Sequence, residues 1–181
     1  MKTKITRCAV CENLFVQYRS FVTWCSADCG LIVVKKKIAA KAKVERRDDS
    51  VRRIAIKTRA QWLKEAQTAF NSYIRARDSD LPCISCGRHH KGQYHAGHFL
   101  SVGARPDLRF VESNVHKQCS ACNTHLSGNI VLYRKALIEK VGLMMVEWLE
   151  GPHKPCHYDI EQLKAIKKSY AAMARNFRGK E

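Results

Sequence analysis

Two pairs of cysteines bracket a histidine- and asparagine-rich segment of the chain. The pairs are Cys83/Cys86 and Cys119/Cys122, and two residues separate the members of each pair. Four thiolates close the tetrahedral shell of a zinc ion and leave no open position for catalysis. The N-terminal sequence lacks the apolar core and cleavage site of an export signal, so we expect reduced cysteines rather than disulfides. The spacing therefore predicts a structural zinc that ties together the two ends of the segment.

The segment between these cysteine pairs carries side chains that suit phosphodiester hydrolysis. This reaction needs an activated water and a cation at the leaving oxygen. A neutral histidine can accept the proton of the water, and His98 is the predicted general base. We predict that His95 and Asn123 bind a hard divalent ion, Mg²⁺ or Mn²⁺, that keeps several of its waters. Asn114 is predicted to orient the base or to pin its loop through backbone hydrogen bonds.

A second set of four cysteines lies near the N-terminus. Cys8 and Cys11 are separated by two residues, and Cys25 and Cys29 by three. So short a segment cannot form a sufficient hydrophobic core, so a metal must stabilise it. We predict a second structural zinc here, in a clip-like module that makes some contact with the DNA backbone. The ninth cysteine, Cys156, has no close partner in the sequence.

The chain is strongly basic, with 33 Lys and Arg against 16 Asp and Glu and a formal net charge of +17. Such an excess is typical of proteins that bind a polyanion. Because no apolar run is long enough to span a membrane, we expect DNA as the partner and the cytoplasm as the location. For the basic run over 35–57, a solvated face or a flexible linker is the alternative. The side chains predicted to bind DNA are Lys35, Lys36, Lys37, Lys41, Lys43, Arg46, Arg47, Arg52, Arg53, Arg105, Arg109, Lys117 and Arg134.

Apolar periodicity and capping residues predict helices over 31–47, 58–77, 130–142 and 159–177. Asp48-Asp49-Ser50 is expected to interrupt the first of them. The predicted fold class is α+β and mostly helical, with a zinc-stapled core, flanking helices and a small N-terminal zinc module. The expected domains are a four-cysteine zinc module over 1–30, a basic helical arm or linker over 31–57, and a nuclease domain with flanking helices over 58–181.

The central motif resembles the signature of the HNH, or ββα-metal, endonucleases. It reads Cys-x2-Cys, then Gly-His-Phe, then Asn-x-His-x-Gln-Cys-x2-Cys-Asn. The resemblance implies a core in which a hairpin and a helix enclose a divalent ion. It also implies that His98 is the general base, Asn114 the middle asparagine and Asn123 the metal ligand on the helix. The family usually has Asp or His directly before the base, where this chain has Gly97, and His95 is expected to substitute.

A closer resemblance, to the NinG family of lambdoid phages, also called Rap, extends over most of the chain. It rests on the module ITRCxVC, the basic helix, the core CISCG…HAGHF…LRFxExNVHxQCxxCNxxLSGN and the helix YRxxLIxxxG. The resemblance implies a recombination endonuclease that cuts branched DNA, including Holliday junctions and D-loops, in the cytoplasm of a host bacterium. Paired cuts across a junction would need two active sites, which suggests a homodimer.

Two other functions compete with this interpretation. One is a non-enzymatic zinc-finger adaptor that binds DNA or RNA, which predicts binding without cleavage under any divalent ion. The other is an HNH nicking endonuclease that acts on linear duplex. The set His95, His98 and Asn123 favours an enzyme over an adaptor, because a pure binder needs no open metal site.

Overall fold

The chain combines α-helices with two small antiparallel sheets, and helix predominates, as the sequence predicts. The structure, a computed structural model, describes residues 4–178. The chain divides into two compact units, residues 1–57 and 58–181. Within the described residues, no helix is both long enough and apolar enough to cross a membrane.

The first unit contains one hairpin and one long helix. Strand β1 (Lys4–Arg7) pairs with β2 (Leu14–Gln17), and helix α1 runs from Ala27 to Ala55. Ser26 caps α1 by accepting a hydrogen bond from the backbone nitrogen of Cys29, so the helix begins inside the second cysteine pair. Cys8 and Cys11 therefore lie in the connection between β1 and β2, and Cys25 and Cys29 lie at the start of α1.

Helix α1 continues without a break through residues 48–50, so the predicted interruption is wrong. Asp and Ser in a helix interior cost only tenths of a kcal/mol relative to good helix formers, too little to end a helix rich in Ala, Lys and Arg. Charges of opposite sign also lie one turn apart, since Lys41 pairs with Glu45 and Asp49 pairs with Arg52.

The second unit is built on two parallel helices, α2 (Arg59–Arg77) and α5 (Ile160–Arg178), which pack along each other. Thr58 and Gln61 form a capping box at the start of α2, and Asp159 and Gln162 exchange the same pair of bonds at the start of α5. The apolar stripes of the two helices supply most of the first core, whose buried members include Trp62, Phe70, Tyr73, Ile74, Phe110 and Leu163. Both helices confirm the predictions made from periodicity.

A hairpin lies against α2. Strand β3 (Tyr94–His98) pairs antiparallel with β4 (Val115–Cys119), and His95 lies opposite Gln118 in the register. The sixteen-residue connection contains two 3-10 turns, Pro106–Leu108 and Glu112–Asn114. Every residue of β4 is buried, so this strand forms the centre of the unit.

After the hairpin, the chain makes a π-helical turn (Ala121–His125) and continues into α3 (Ile130–Val141) and α4 (Leu143–Glu150). Helix α3 ends at Gly142, which has a φ of 86°, as expected for a glycine that stops a helix. The short helix α4 is not among the sequence predictions. Together these helices form a second core whose buried members are Phe99, Leu108, Tyr133, Leu137, Val146 and Leu149.

Candidate metal and catalytic site

Four cysteines of the second unit, Cys83, Cys86, Cys119 and Cys122, converge on one point. Their sulfur atoms lie within 4.8 Å of one another, an arrangement that can hold a metal ion and is compatible with zinc. The backbone nitrogen of Cys119 donates to the Cys83 sulfur at 3.3 Å, and that of Cys122 donates to the Cys119 sulfur at 3.5 Å. Backbone donors of this kind favour the thiolate form that a metal requires.

The N-terminal cysteines form a second tetrad with the same property. The sulfurs of Cys8, Cys11, Cys25 and Cys29 also lie within 4.8 Å of one another. Cys8 and Cys29 are buried, whereas Cys11 and Cys25 are exposed. Each tetrad provides four thiol ligands, so a zinc in either one would be structural.

His98 lies at the end of β3 in a state suited to a general base. Its Nε2 is 3.1 Å from the carbonyl oxygen of Arg109. Because a carbonyl can only accept, Nε2 carries the proton of the neutral ring and Nδ1 keeps its lone pair. Burial lowers the pKa of His98 below its usual value, so the ring is neutral at physiological pH.

His98 and Asn123 line one open cleft of about 570 Å³. The cleft is bordered by the end of β3, the following residues Phe99–Val102 and the turn Ser127–Gly128. Among residues 4–178, those that line the cleft include neither a carboxylate nor a cationic side chain. A phosphate can therefore enter it without meeting a negative charge.

His95 lies beside Asn123. The amide nitrogen of Asn123 is 3.2 Å from His95 Nδ1. The other ring nitrogen, Nε2, is buried and has no hydrogen-bond partner within residues 4–178. A buried polar atom without a partner is unusual, and Nδ1, the nitrogen beside Asn123, is the atom that could bind an ion together with that side chain. The structure thus brings together the two side chains predicted to hold the divalent ion.

Asn114 pins the connection that follows His98, the predicted base, which is one of the two roles predicted for Asn114. It is fully buried. Its Oδ1 accepts from the backbone nitrogen of Leu100 at 2.9 Å, and its Nδ2 donates to the carbonyls of Leu100 and Leu108 at 3.1 and 3.3 Å. Asn114 is not among the residues that line the cleft, so it acts by fixing the backbone next to His98.

Comparison with known proteins assigns the family. The family model described as "Bacteriophage Lambda NinG protein" matches residues 1–181. The chain belongs to the NinG family. This finding confirms the family predicted from the sequence motifs.

Several NinG proteins are similar to the chain over most of its length. Protein ninG of Salmonella phage P22 is 42% identical over 170 residues, which cover 86% of this chain and 84% of the relative. Protein ninG of Escherichia phage lambda is 41% identical over 170 residues, with 86% and 83% covered. Protein ninG of Escherichia phage 933W is 37% identical over 187 residues, with 95% and 93% covered. No solved structure matches the chain.

Sequence reasoning missed a buried charge cluster that fixes β4 of this NinG chain. Asp78 ends α2 and accepts a hydrogen bond from the backbone nitrogen of Lys117 at 3.0 Å. Burial opposes its charge, but the adjacent His116 ring and Arg77, which donates to both carboxylate oxygens, outweigh burial and hold the pKa of Asp78 well below its usual range. Arg77 also donates to the carbonyl of Val115 at 2.9 Å. The Asp-Ser-Asp sequence after α2 signals a helix end but gives no sign of this contact.

The basic residues predicted to bind DNA fall into two groups. The nine in the first unit, Lys35 to Arg53, are all exposed along α1. The other four already have partners inside the second unit. Arg105 pairs with Asp107, Arg134 pairs with Glu150, and Arg109 donates to Gln67 at 3.1 Å.

Lys117 does not fit its predicted role. It is only 6% exposed, and its ammonium donates to the carbonyl of Ser79 at 2.6 Å and lies 4.3 Å from the centre of the Tyr94 ring. A phosphate cannot reach this buried ammonium, so Lys117 joins β4 to the end of α2. The prediction failed because strand β4 is buried on both faces, which the alternation of its residue types does not reveal.

Proposed function

We propose that this NinG-family protein is a divalent-metal-dependent endodeoxyribonuclease that hydrolyses phosphodiester bonds in branched recombination intermediates such as Holliday junctions and D-loops. The observation that carries the proposal is the pairing of His98, with its Nδ1 lone pair free, and Asn123 in one cleft. A structural clip alone would need neither group there.

His98 is the general base of the proposed reaction. The Arg109 carbonyl holds its ring through Nε2, so Nδ1 is the atom that takes the proton from the attacking water. Because burial keeps the ring neutral, the base is ready at neutral pH. Asn114 keeps the backbone beyond the base in place during the reaction.

His95 and Asn123 are the proposed ligands of the divalent ion. A half-turn of the Asn123 amide about its terminal bond exchanges nitrogen and oxygen with little change of shape, and the oxygen then faces His95 Nδ1. The spacing of 3.2 Å between the two side chains would let His95 and Asn123 bind one divalent ion together. When bound, Mg²⁺ or Mn²⁺ supplies positive charge to the scissile phosphate and the leaving oxygen.

The local topology supports a core of the HNH type. A two-stranded hairpin carries His98, a helical turn after it carries Asn123, and a cysteine tetrad lies where the two meet. This order, strand, strand and then helix, corresponds to a ββα arrangement. The proposal is therefore a hydrolase in which zinc is structural and a second metal is catalytic.

The substrate class rests on family resemblance and on charge. A chain with a net charge of +17 and nine exposed basic side chains on α1 suits the DNA backbone, and a junction-cutting enzyme reads backbone shape rather than bases. DNA in the bacterial cytoplasm is the proposed partner. Paired cuts would require a homodimer.

The test is cleavage of a labelled four-way junction beside linear duplex of the same sequence. Wild type, His98→Ala and the control His125→Ala would each be assayed with Mg²⁺, with Mn²⁺ and without a divalent ion. His125 is an exposed histidine of the nearby π-helical turn, so its loss leaves the base intact. We expect wild type and His125→Ala to cut the junction only with metal, and His98→Ala to bind it without cutting.

Other outcomes would select the competing functions. Tight binding of the junction without cleavage in any metal would identify an adaptor. Equal cleavage of the linear duplex would identify a nicking endonuclease. Full activity of His98→Ala would refute the assignment of the base.

A further inference from the structure

Gln118 lies opposite His95 in the hairpin and has an unsatisfied carbonyl. It is fully buried in β4. Its Oε1 has no hydrogen-bond partner in the part of the chain that the structure describes. Of the buried side-chain polar atoms in residues 4–178, only this oxygen and His95 Nε2 lack a partner, and they belong to residues directly paired across the two strands.

Hydrogen bonds from its nitrogen fix the orientation of the Gln118 amide. Its Nε2 donates to the Ser85 hydroxyl at 2.6 Å and to the carbonyl of Gly128. Because the Gly128 carbonyl can only accept, the atom that faces it must be the nitrogen. The oxygen of Gln118 is thereby held on the opposite side and cannot exchange places with the nitrogen.

The fixed oxygen points to the space above Gly97, where Asn123 also lies. A Cβ on residue 97 would overlap Gln118 Oε1 and would lie 3.0 Å from Asn123 Oδ1. Glycine is required at this position because two amide side chains approach its Cα. The side of the Asn123 amide that faces Gly97 therefore also faces the unsatisfied acceptor of Gln118.

We propose that Gln118 is the positioning residue that sets the orientation of the Asn123 amide, accepting a hydrogen bond from Asn123 Nδ2 so that Asn123 Oδ1 faces His95 and the divalent ion. This inference rests on the proposed function. It gives the buried oxygen a donor and places a nitrogen and an oxygen ligand side by side. The Gly128 carbonyl therefore fixes the Gln118 amide, and Gln118 in turn sets the orientation in which the Asn123 oxygen faces the divalent ion.

A double-mutant cycle tests this role by metal affinity rather than by activity. The probe is Mn²⁺ alone, added to zinc-loaded full-length protein and measured from the spin-resonance signal of the free ion. Gln118→Met removes the acceptor with little change in volume. We expect Mn²⁺ binding to weaken by about 10- to 100-fold, the usual effect of losing a group that orients a metal ligand. Gln93→Met, at an exposed glutamine two residues before His95, should bind Mn²⁺ as wild type does.

The second arm uses Asn123→Asp. A carboxylate presents oxygen on both faces, so its orientation no longer matters. In the Asn123→Asp background, Gln118→Met should change Mn²⁺ affinity by less than about 2-fold. The difference between this change and the one that Gln118→Met causes in wild type measures the coupling between the two residues. Zinc content and thermal unfolding would establish that each variant is folded.

The outcomes separate this inference from the proposed function. Equal loss of Mn²⁺ affinity in both backgrounds would show that Gln118 acts only on the fold and would overturn its positioning role. Unchanged affinity in Gln118→Met would overturn it as well. In either case, metal-dependent cleavage by wild type would still support the proposed nuclease function. If wild type holds no Mn²⁺ at all, the divalent site fails and the role of Gln118 fails with it.

Discussion

The hydroxyl of Tyr133 in α3 donates a 2.9 Å hydrogen bond to the carbonyl oxygen of Gly97 in β3. Both residues are buried, and Gly97 stands between the proposed metal ligand His95 and the proposed base His98. Tyr133 also packs against Phe99, with ring centroids 5.6 Å apart. The second core thus holds the backbone of β3, the strand that carries the proposed base, by one directed hydrogen bond.

Tyr133→Phe removes that bond and leaves the buried Gly97 carbonyl without its donor. We expect the free energy of unfolding to fall by about 1–3 kcal/mol, the usual cost of an unpaired buried polar group. Urea denaturation of zinc-loaded protein measures this. Tyr18→Phe is the matched control, since Tyr18 is 80% exposed and should give no change. A Tyr133→Phe protein as stable as wild type would show that the Gly97 carbonyl finds another donor.

Gly97→Ala should abolish cleavage while leaving both cysteine tetrads metallated. The added methyl would overlap the Gln118 oxygen and crowd Asn123, so the amides at the proposed divalent site must move. Junction cleavage and zinc content would be measured on the same sample. Gly103→Ala is the control, because a Cβ at Gly103 meets nothing within 4 Å. Normal cleavage by Gly97→Ala would show that the two amides are not needed in their observed places.

The sequence predicts those features of the structure that depend on residues close together in the chain. Helices α2, α3 and α5 follow from apolar spacing and from terminal residues such as Asp159 and Gly142. The cysteine tetrads follow from pair spacing, and the neighbourhood of His95 and Asn123 follows from a family signature. Each of these signals lies within a few residues or within one motif.

The remaining parts depend on contacts between distant segments. From the sequence, Tyr133 is one residue of an amphipathic helix. Only in the folded chain does its hydroxyl reach the carbonyl of Gly97, 36 residues earlier. Gln118 reads as a polar residue of a half-exposed strand, but helices cover β4 so that the residue is buried. The role of Asp78 depends likewise on β4, 39 residues away.

Asp78→Asn should destabilise the second unit strongly. The carboxylate is 2% exposed, lies 2.8 Å from Arg77 Nε and 3.7 Å from the Lys140 ammonium, and accepts from the Lys117 backbone. Without it, the largely buried Arg77 guanidinium loses its counter-charge, and breaking a buried pair in this way typically costs about 3–5 kcal/mol. Chemical denaturation at neutral pH provides the measurement. Asp80→Asn, at an exposed position two residues on, should change little, and an equally small effect at Asp78 would contradict the account.

His116 should make stability depend on pH near neutrality. Burial lowers its pKa below the usual 6.5, while Asp78 acts in the opposite direction and Lys140 and Arg77 reinforce the shift. The unfolded chain therefore binds the proton first as pH falls. The contribution of neutral His116 to stability is complete above about pH 6.5 and declines as pH falls towards the folded pKa, at up to about 1.4 kcal/mol per pH unit.

Denaturation of wild type and His116→Asn between about pH 7.5 and 5.5 isolates this effect, because the cysteine thiols titrate alike in both proteins. Wild type should lose more stability over this range than the variant. His89→Asn, at an exposed histidine, should keep the pH dependence of wild type. Parallel curves for wild type and His116→Asn would show that His116 does not titrate differently on folding.

The basic face of α1 should contribute to DNA affinity through counterion release. Changing Lys35, Lys36 and Lys37 together to Gln removes three exposed charges from one stretch of the helix. Each phosphate contact adds about 0.9 to the negative slope of log affinity against log salt, so the slope should become shallower by up to about 3. Filter binding to a four-way junction over a range of salt measures this slope.

The matched control removes the same number of charges from exposed lysines of the second unit, at Lys91, Lys135 and Lys154. If α1 follows the DNA backbone, the control keeps the slope of wild type, since release requires a phosphate close to the lysine and does not depend on net charge alone. Equal changes in both triple variants would mean that the excess charge of the chain attracts DNA as a whole, and the assignment of α1 as a phosphate-binding surface would then be wrong.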